Sequence, residues 1–166
     1  MFSKKITLEN ERLRKELSEA HSVISAIKGS VAYIQFSPDG HIQNANELFL
    51  LTVGYSLAEI VGKHHSIFCD SHYASSYEYK NFWSGLASGK AKHGTFCRKT
   101  KTKKSIWLEA TYFPVHSTDG KVTSVIKIAS DVTEQTAELT AQNAIYSALD
   151  KAMAVSYTHL RAHETD

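Results

Sequence analysis

Residues 106–129 read IWLEATYFPVHSTDGKVTSVIKIA. Two runs rich in β-branched and aromatic residues, Ile106–Val115 and Val122–Ala129, flank Ser117-Thr118-Asp119-Gly120. That tetrapeptide is turn chemistry, because Ser and Asp side chains bond their own backbone and Gly tolerates positive φ. In the second run Val122, Ser124, Ile126 and Ile128 alternate with Thr123, Val125, Lys127 and Ala129, the two-residue period of a strand. The segment therefore reads as an antiparallel hairpin. Just upstream, Gly94–Lys101 is a further strand, with Thr95 and Cys97 on one side and Phe96 on the other. It connects through the basic turn Lys101–Lys104. Lys99, Lys101, Lys103 and Lys104 there read as a solvated hairpin tip that discourages edge pairing.

The pattern repeats nearer the start. Val31–Phe36 (VAYIQF), the turn Ser37-Pro38-Asp39-Gly40 and His41–Asn44 make a second hairpin. Short helices lie between the hairpins. Asn46–Val53 is one, stopped by Gly54. Ser56 followed three residues on by Glu59 has capping-box spacing, so another helix starts there and stops at Gly62. Residues 63–75 read as irregular and rich in His and Ser. Tyr77–Ala87 sets Tyr79, Phe82, Trp83 and Leu86 at helical spacing. Two strands, several helices and three strands imply an α+β fold: one five-stranded antiparallel sheet with its helices on one face.

Residues 1–28 form a different kind of element. Ile6, Leu13, Ala20 and Ile27 recur every seven residues, and Asn10, Leu17 and Ile24 make a second series. Together they are an a/d seam with Asn10, Leu17 and Ile24 at a, flanked by charged residues. A lone Asn at a fixes register and favours two strands, because its amide is satisfied against its twin. Asn10, Leu13, Leu17 and Ile24 are thus candidate dimer contacts. The alternative is an amphipathic helix packed on its own domain.

The chain has 166 residues, 42% of them hydrophobic and 22% charged, which fits one domain with extra helix and argues against wholesale disorder. A formal charge of +2 is too small to argue for nucleic acid or an anionic membrane as partner. No apolar run reaches membrane-spanning length, and the N-terminus is charged where a signal peptide is apolar. Two cysteines, Cys69 and Cys97, make no disulfide framework, so the expected compartment is the reducing cytoplasm. Neither a phosphate-binding glycine loop nor a nucleophile elbow is present, and catalysis is not expected.

In order and spacing, SPDGHIQNAN, the helix ending in GYS, AEIVGKHH, the FW-containing helix, WLEATYFPVHSTDGKV and the closing DVTEQ resemble a PAS domain over residues 29–135. FCDSHY, YKNFWSGLASGK and IWLEATYFPV are similar to the PAS modules of cytoplasmic methyl-accepting chemotaxis transducers of the aerotaxis and biofilm-dispersal type. The resemblance implies a sensor: a pocket between sheet and helices holds a ligand whose state biases the flanking helices. It also implies a homodimer, and a chemotaxis kinase and adaptor engaged by a C-terminal helical hairpin not found among these residues. Asp131 and Thr133 stand at the junction into the exit helix, Thr133 as its expected N-cap. Alternatives are a cofactor-free dimerisation and relay module, or the sensor of a cyclase, phosphodiesterase or histidine kinase.

The cofactor suggested by the aerotaxis resemblance is FAD. Trp83, Phe82 and Phe68 are expected to supply its aromatic slot and Asn46 and His65 its polar contacts, with Trp107 as a further match. The family's Arg-His-Pro-Asp-type segment is replaced by Cys69-Asp70-Ser71-His72. Haem b is the alternative, with His65 or His72 as axial ligand. The cluster His64, His65, Cys69 and His72 has weak zinc-like spacing without a second ligand pair. Cys69 is a redox candidate if a nearby His favours its thiolate.

Ser25–Ala32 aligns with Ser147–Ala154, sharing the Ser-Ala start and the closing Ala. A tandem architecture is therefore expected, with residues 136–155 forming a linker helix and the start of a second module. Ser156–Thr165 (SYTHLRAHET) resembles a translated sequencing adapter, and 156–166 is set apart from the fold on that ground.

Overall fold

A computed structural model describes the backbone of residues 2–163 and the side chains of residues 4–153. The chain divides after Asp131 into two units. The first opens with helix α1, Phe2–Ser30, and continues through strands β1 (Ala32–Phe36) and β2 (Ile42–Ala45). Helices α2 (Glu47–Val53), α3 (Leu57–Ile60), α4 (Ser71–Ser75) and α5 (Tyr77–Ala87) follow. Strands β3 (Lys92–Lys99), β4 (Ser105–His116) and β5 (Val122–Asp131) complete it. The second unit is helix α6, Thr133–His163.

The expected architecture is present. The five strands form one antiparallel sheet in the order β2-β1-β5-β4-β3. The last strand lies at its centre, with Lys127 opposite Ile34 of β1 on one side and Tyr112 of β4 on the other. Alternation decides what faces the helices. Ile34 and Phe36, Phe96 and Arg98, Leu108, Ala110 and Tyr112, and Val125, Lys127 and Ala129 point toward them. They pack with Phe49, Val53, Ile60, Phe68, Tyr79, Phe82, Trp83 and Leu86 from the helical layer, which is where the core sits.

Local chemistry explains the helix ends. The α3 capping box forms as expected, Ser56 and Glu59 bonding each other's backbone. Asn46 lies one position before α2 as its N-cap, accepting from the Phe49 and Tyr33 amides and donating to the Lys28 and Val31 carbonyls. One amide thus ties the end of α1 to β1 and α2. Gly40 has φ 92°, and a Cβ there would meet His64 Nε2 at 2.5 Å, so the β1–β2 turn needs glycine for two reasons.

Two expectations are corrected. Residues 63–75 are ordered rather than irregular: His65–Phe68 is a 3-10 turn and Ser71–Ser75 is α4, capped by the Asp70 carboxylate. Thr133 is the first residue of α6 and Val132 precedes it, so the capping position falls one residue earlier. Within the second unit α6 runs to His163. The side chains of Ser156–Thr165 lie outside the described residues.

On the outer face of the sheet, Ile24, Ile27 and Lys28 of α1 line a groove of about 530 Å³ with Tyr33, Phe113 and Ile126 among others. Leu13 (50% exposed) and Leu17 (68%) are open along α1. No helix among the described residues is long and apolar enough to cross a membrane.

Candidate functional site

The site is built around Tyr112, fully buried at the centre of β4. Its hydroxyl is 3.1 Å from His65 Nε2 and 3.5 Å from Arg98 Nη2. His65 is carried by the 3-10 turn, whose first turn is capped by His64, and its Nδ1 is 2.9 Å from the Tyr79 hydroxyl of α5. A neutral imidazole has one N–H and one lone pair. With Arg98 donating to Tyr112, the Tyr112 hydroxyl donates to Nε2 and Nδ1–H donates to Tyr79, which satisfies the chain of partners. Burial drives the His65 pKa well below its ordinary value, and Arg98 and Lys127 push it the same way. Burial also pushes Tyr112 up to about 12 and Tyr79 higher still.

Two cations complete the site. The Lys127 ammonium lies 5.1 Å from the Tyr112 ring centroid and 5.6 Å from that of Phe49. Lys127 is 1% exposed, and burial, reinforced by Arg98, holds its pKa well below the ordinary lysine value. Arg98, 3% exposed, stacks against Phe96 and Tyr73 and donates to the Cys97 carbonyl. Among the described residues neither cation has a carboxylate within ion-pair distance. Two buried donors, Trp83 Nε1 and Arg98 Nε, have no acceptor at hydrogen-bond geometry, although the Tyr79 hydroxyl lies near enough to Trp83 to interact with it. Such groups are costly to leave unpaired in a folded interior.

The structure brings His65, Phe68, Phe82 and Trp83 together. His65 is 5.4 Å from Trp83, 6.1 Å from Phe68 and 6.5 Å from Phe82 between ring centroids. Asn46 is not with them: its amide is spent on four backbone groups at the α1–β1–α2 junction. Trp107 is not with them either. It shares the outward parity of Glu109 and Thr111 on β4 and is 38% exposed, so it belongs to the opposite face of the sheet. His72 is exposed on α4 and His64 turns away to donate to the Asp39 carbonyl, so the zinc-like cluster does not converge. Among the described residues no three His, Cys, Asp or Glu side chains gather as a metal site. Burial raises the Cys69 pKa, so the expected thiolate is disfavoured although Sγ is 3.7 Å from His65 Nδ1.

Tyr112, Arg98, Lys127 and Tyr79 were not anticipated as site residues. Strand parity was the available signal: Arg98 shares the side of Phe96, and Lys127 that of Val125 and Ala129.

These groups test the two cofactors. Haem iron needs a free imidazole nitrogen beside the aromatic lining; both nitrogens of His65 are engaged by tyrosine hydroxyls and His72 is exposed on α4, so neither histidine offers one in this arrangement. The donor set does fit a flavin, whose ring system offers acceptors to Trp83 Nε1 and Arg98 Nε within an aromatic lining. Trp83 is packed edge-on against Phe36 and His65 at 5.4 Å and against Phe82 at 6.0 Å, so an inserted ring has to part these contacts.

Comparison with known proteins agrees with the fold. The PAS domain family matches residues 30–134. The biofilm dispersion protein BdlA of Pseudomonas aeruginosa is 43% identical over 109 residues, 66% of this chain and 26% of that protein's length. The chain thus spans about a quarter of that relative. Among solved structures, a light-oxygen-voltage domain studied with a flavin analogue superposes with TM-score 0.60 at 18% identity, covering 76% of this chain and 96% of that one. An RNA-binding light-oxygen-voltage receptor gives TM-score 0.62 at 24% identity, covering 79% and 38%. At these identities the two structures establish the fold alone.

Proposed function

We propose, from the premise that this chain belongs to the PAS domain family, that residues 30–134 are the sensory module of a signalling protein. In this reading a small molecule held around His65, Trp83 and Tyr112 controls the helix that leaves β5. The observation that carries it is the pair of acceptorless donors, Trp83 Nε1 and Arg98 Nε, buried in an aromatic interior. Unpaired donors in an aromatic interior are complementary to an acceptor-bearing ring.

FAD is the cofactor this donor set suits. Trp83 and Arg98 would hold it, Phe68 and Phe82 would supply aromatic lining, and the flavin when bound would supply redox chemistry. The chain's own contribution is positional. His65 and Tyr79 keep neutral hydrogen bonds in place, and the aromatic layer excludes water. The kinship to a biofilm dispersion protein supports a chemotaxis-transducer context, with a kinase and adaptor as partners in the cytoplasm. In this account Asp131 and Thr133 carry the change into α6, and α1 joins two chains. A coupling of only ~1–3 kcal/mol is enough to alter output.

The test is the absorption spectrum of the purified full chain. The blue bands of an oxidised flavin are expected, together with reduced occupancy in Trp83→Ala. A colourless protein sinks the flavin assignment, and unchanged occupancy removes Trp83 from the site. A second reading, cofactor-free relay, draws support from the ring-on-ring packing at Trp83.

A further inference from the structure

The turn that carries His65 is fastened by its neighbour in the chain. His64 precedes the 3-10 turn His65–Phe68 and caps it, its Nδ1 accepting from the Ser66 amide at 3.2 Å. Its Nε2 is 3.0 Å from the Asp39 carbonyl in the turn between β1 and β2. The two backbones are joined as well: His41 bridges to His64, and the His65 amide donates to the Gly40 carbonyl at 2.8 Å. Gly40 seats the ring from one side. Trp83 and Tyr79 of α5 hold it from the other, at 5.8 and 5.9 Å between centroids.

These partners admit one state of the imidazole. A carbonyl only accepts, so Nε2 carries the hydrogen; a backbone amide only donates, so Nδ1 keeps its lone pair. The Ser66 hydroxyl, 3.1 Å from Nδ1, serves either ring state and does not discriminate. A second proton, on Nδ1, would point at the Ser66 N–H and end the cap. The titratable groups facing the ring are Asp39 and His41 from the β1–β2 turn and Tyr79 from α5, with Lys63 and His65 on either side in sequence. The Asp39 carboxylate is occupied by His41 Nδ1 at 2.9 Å and by the Ser37 hydroxyl. The His41 ring stands 5.3 Å from that of His64, so a proton on His64 adds a cation beside it. Tyr79 and His65 are kept neutral by burial. Burial outweighs the pull of Asp39, and the His64 pKa lies below the ordinary 6.5.

We propose that His64 is an acid-released latch on the candidate site: as a neutral imidazole it clasps the His65 turn to the β1–β2 turn, and as an imidazolium it lets that turn go. The opened turn takes up a proton that the clasped one refuses. The latch is therefore fully closed above pH 6.5 and weakens as pH falls toward the folded-state value. The released segment is the one that sets His65 between Tyr79 and Tyr112. Acid thus loosens the site while the five-stranded ladder, which His64 does not join, stays formed. The device works through the chain's own residues and needs no ligand, so it stands or falls apart from the sensor reading.

The test is NMR on the nitrogen-15-labelled full chain from pH 7.5 to 4.5, reading ring nitrogen shifts and amide hydrogen exchange. At pH 7.5 His64 is expected as the Nε2–H tautomer. On acidification the protection factor of the Ser66 amide is expected to fall about threefold or more, the loss of an N-cap. The fall should begin near pH 6.5 and level off once the His64 ring is protonated. His64→Asn supplies a capping acceptor that does not titrate, so Ser66 protection should become nearly flat with pH. Both proteins retain His65, so any change due to that residue appears equally in the two. An Nδ1–H tautomer at pH 7.5, or parallel pH profiles in wild type and His64→Asn, overturns the latch. If His64→Asn leaves Ser66 unprotected even at pH 7.5, the wild type decides: protection that is constant across the His64 titration overturns the latch, and a fall that levels off with it upholds it.

Discussion

His65 has two phenols as partners and two cations as neighbours, and this sets its protonation. Its pKa in the fold lies well below the ordinary 6.5, chiefly through burial. Between those two values the unfolded chain takes up a proton that the native state refuses. Stability from this residue is therefore complete above pH 6.5 and declines as pH falls toward the folded-state value, by at most about 1.4 kcal/mol per pH unit. Urea unfolding at pH 7.5, 6.0 and 5.0 should show that decline in the wild type. His65→Gln should be about 1–3 kcal/mol less stable at pH 7.5, through its disturbed hydrogen bonds, and should lose less on acidification. Parallel pH profiles for the two proteins would count against His65 as the source. At this scale the sequence was legible for His65, Phe82 and Trp83, whose types and spacing mark an interior. It was misleading for Lys127. Ser124, Ile126 and Ile128 look the more apolar side of β5, yet they face the groove beneath α1, and the side with the lysine faces inward. A single lysine in a strand reads as solvent-facing until the register with Tyr112 is known.

Among the elements, those with strong local chemistry were readable. The capping box at Ser56 and Glu59, the helix Tyr77–Ala87 and the turns containing Gly40 and Gly120 all follow from residues adjacent in sequence. The 3-10 turn and α4 were missed because neither has room for a hydrophobic period; side-chain caps from His64 and Asp70 define them instead. The long helix α1 shows its seam openly. Leu13, Leu17 and Ile24 are each at least half exposed, while Arg12 bridges Glu9 and Glu16 on the flank. If two α1 helices meet along that seam, Leu17→Glu places a charge in its middle. The dimer dissociation constant should then rise about tenfold or more, since burying one leucine is worth about 1.5–3 kcal/mol. Sedimentation equilibrium of both proteins reads this directly, and a wild type that is monomeric at tens of micromolar would remove the seam as an interface.

For the whole molecule, the number of strands was visible from alternation, whereas their order was not. Pairing of β1 with β5 joins residues some ninety positions apart, and no local signal announces such a contact. The same view of the molecule separates what the platform needs from what it does not. Residues 156–166 lie beyond the unit that contains the sheet, so their removal should leave Tm within about 1 °C of the full chain's. Differential scanning calorimetry would detect a larger drop, which would assign those residues a stabilising role.

The central place of β5 also governs how the protein is made. Hairpin β1–β2 and hairpin β3–β4 leave the ribosome first, each with a bare backbone edge and with Phe36 or Tyr112 uncovered. Nothing can join them until Val122–Asp131 has been synthesised and slots between the two. Until β5 emerges the nascent domain therefore has bare strand edges and no core, a window in which chaperone protection matters most.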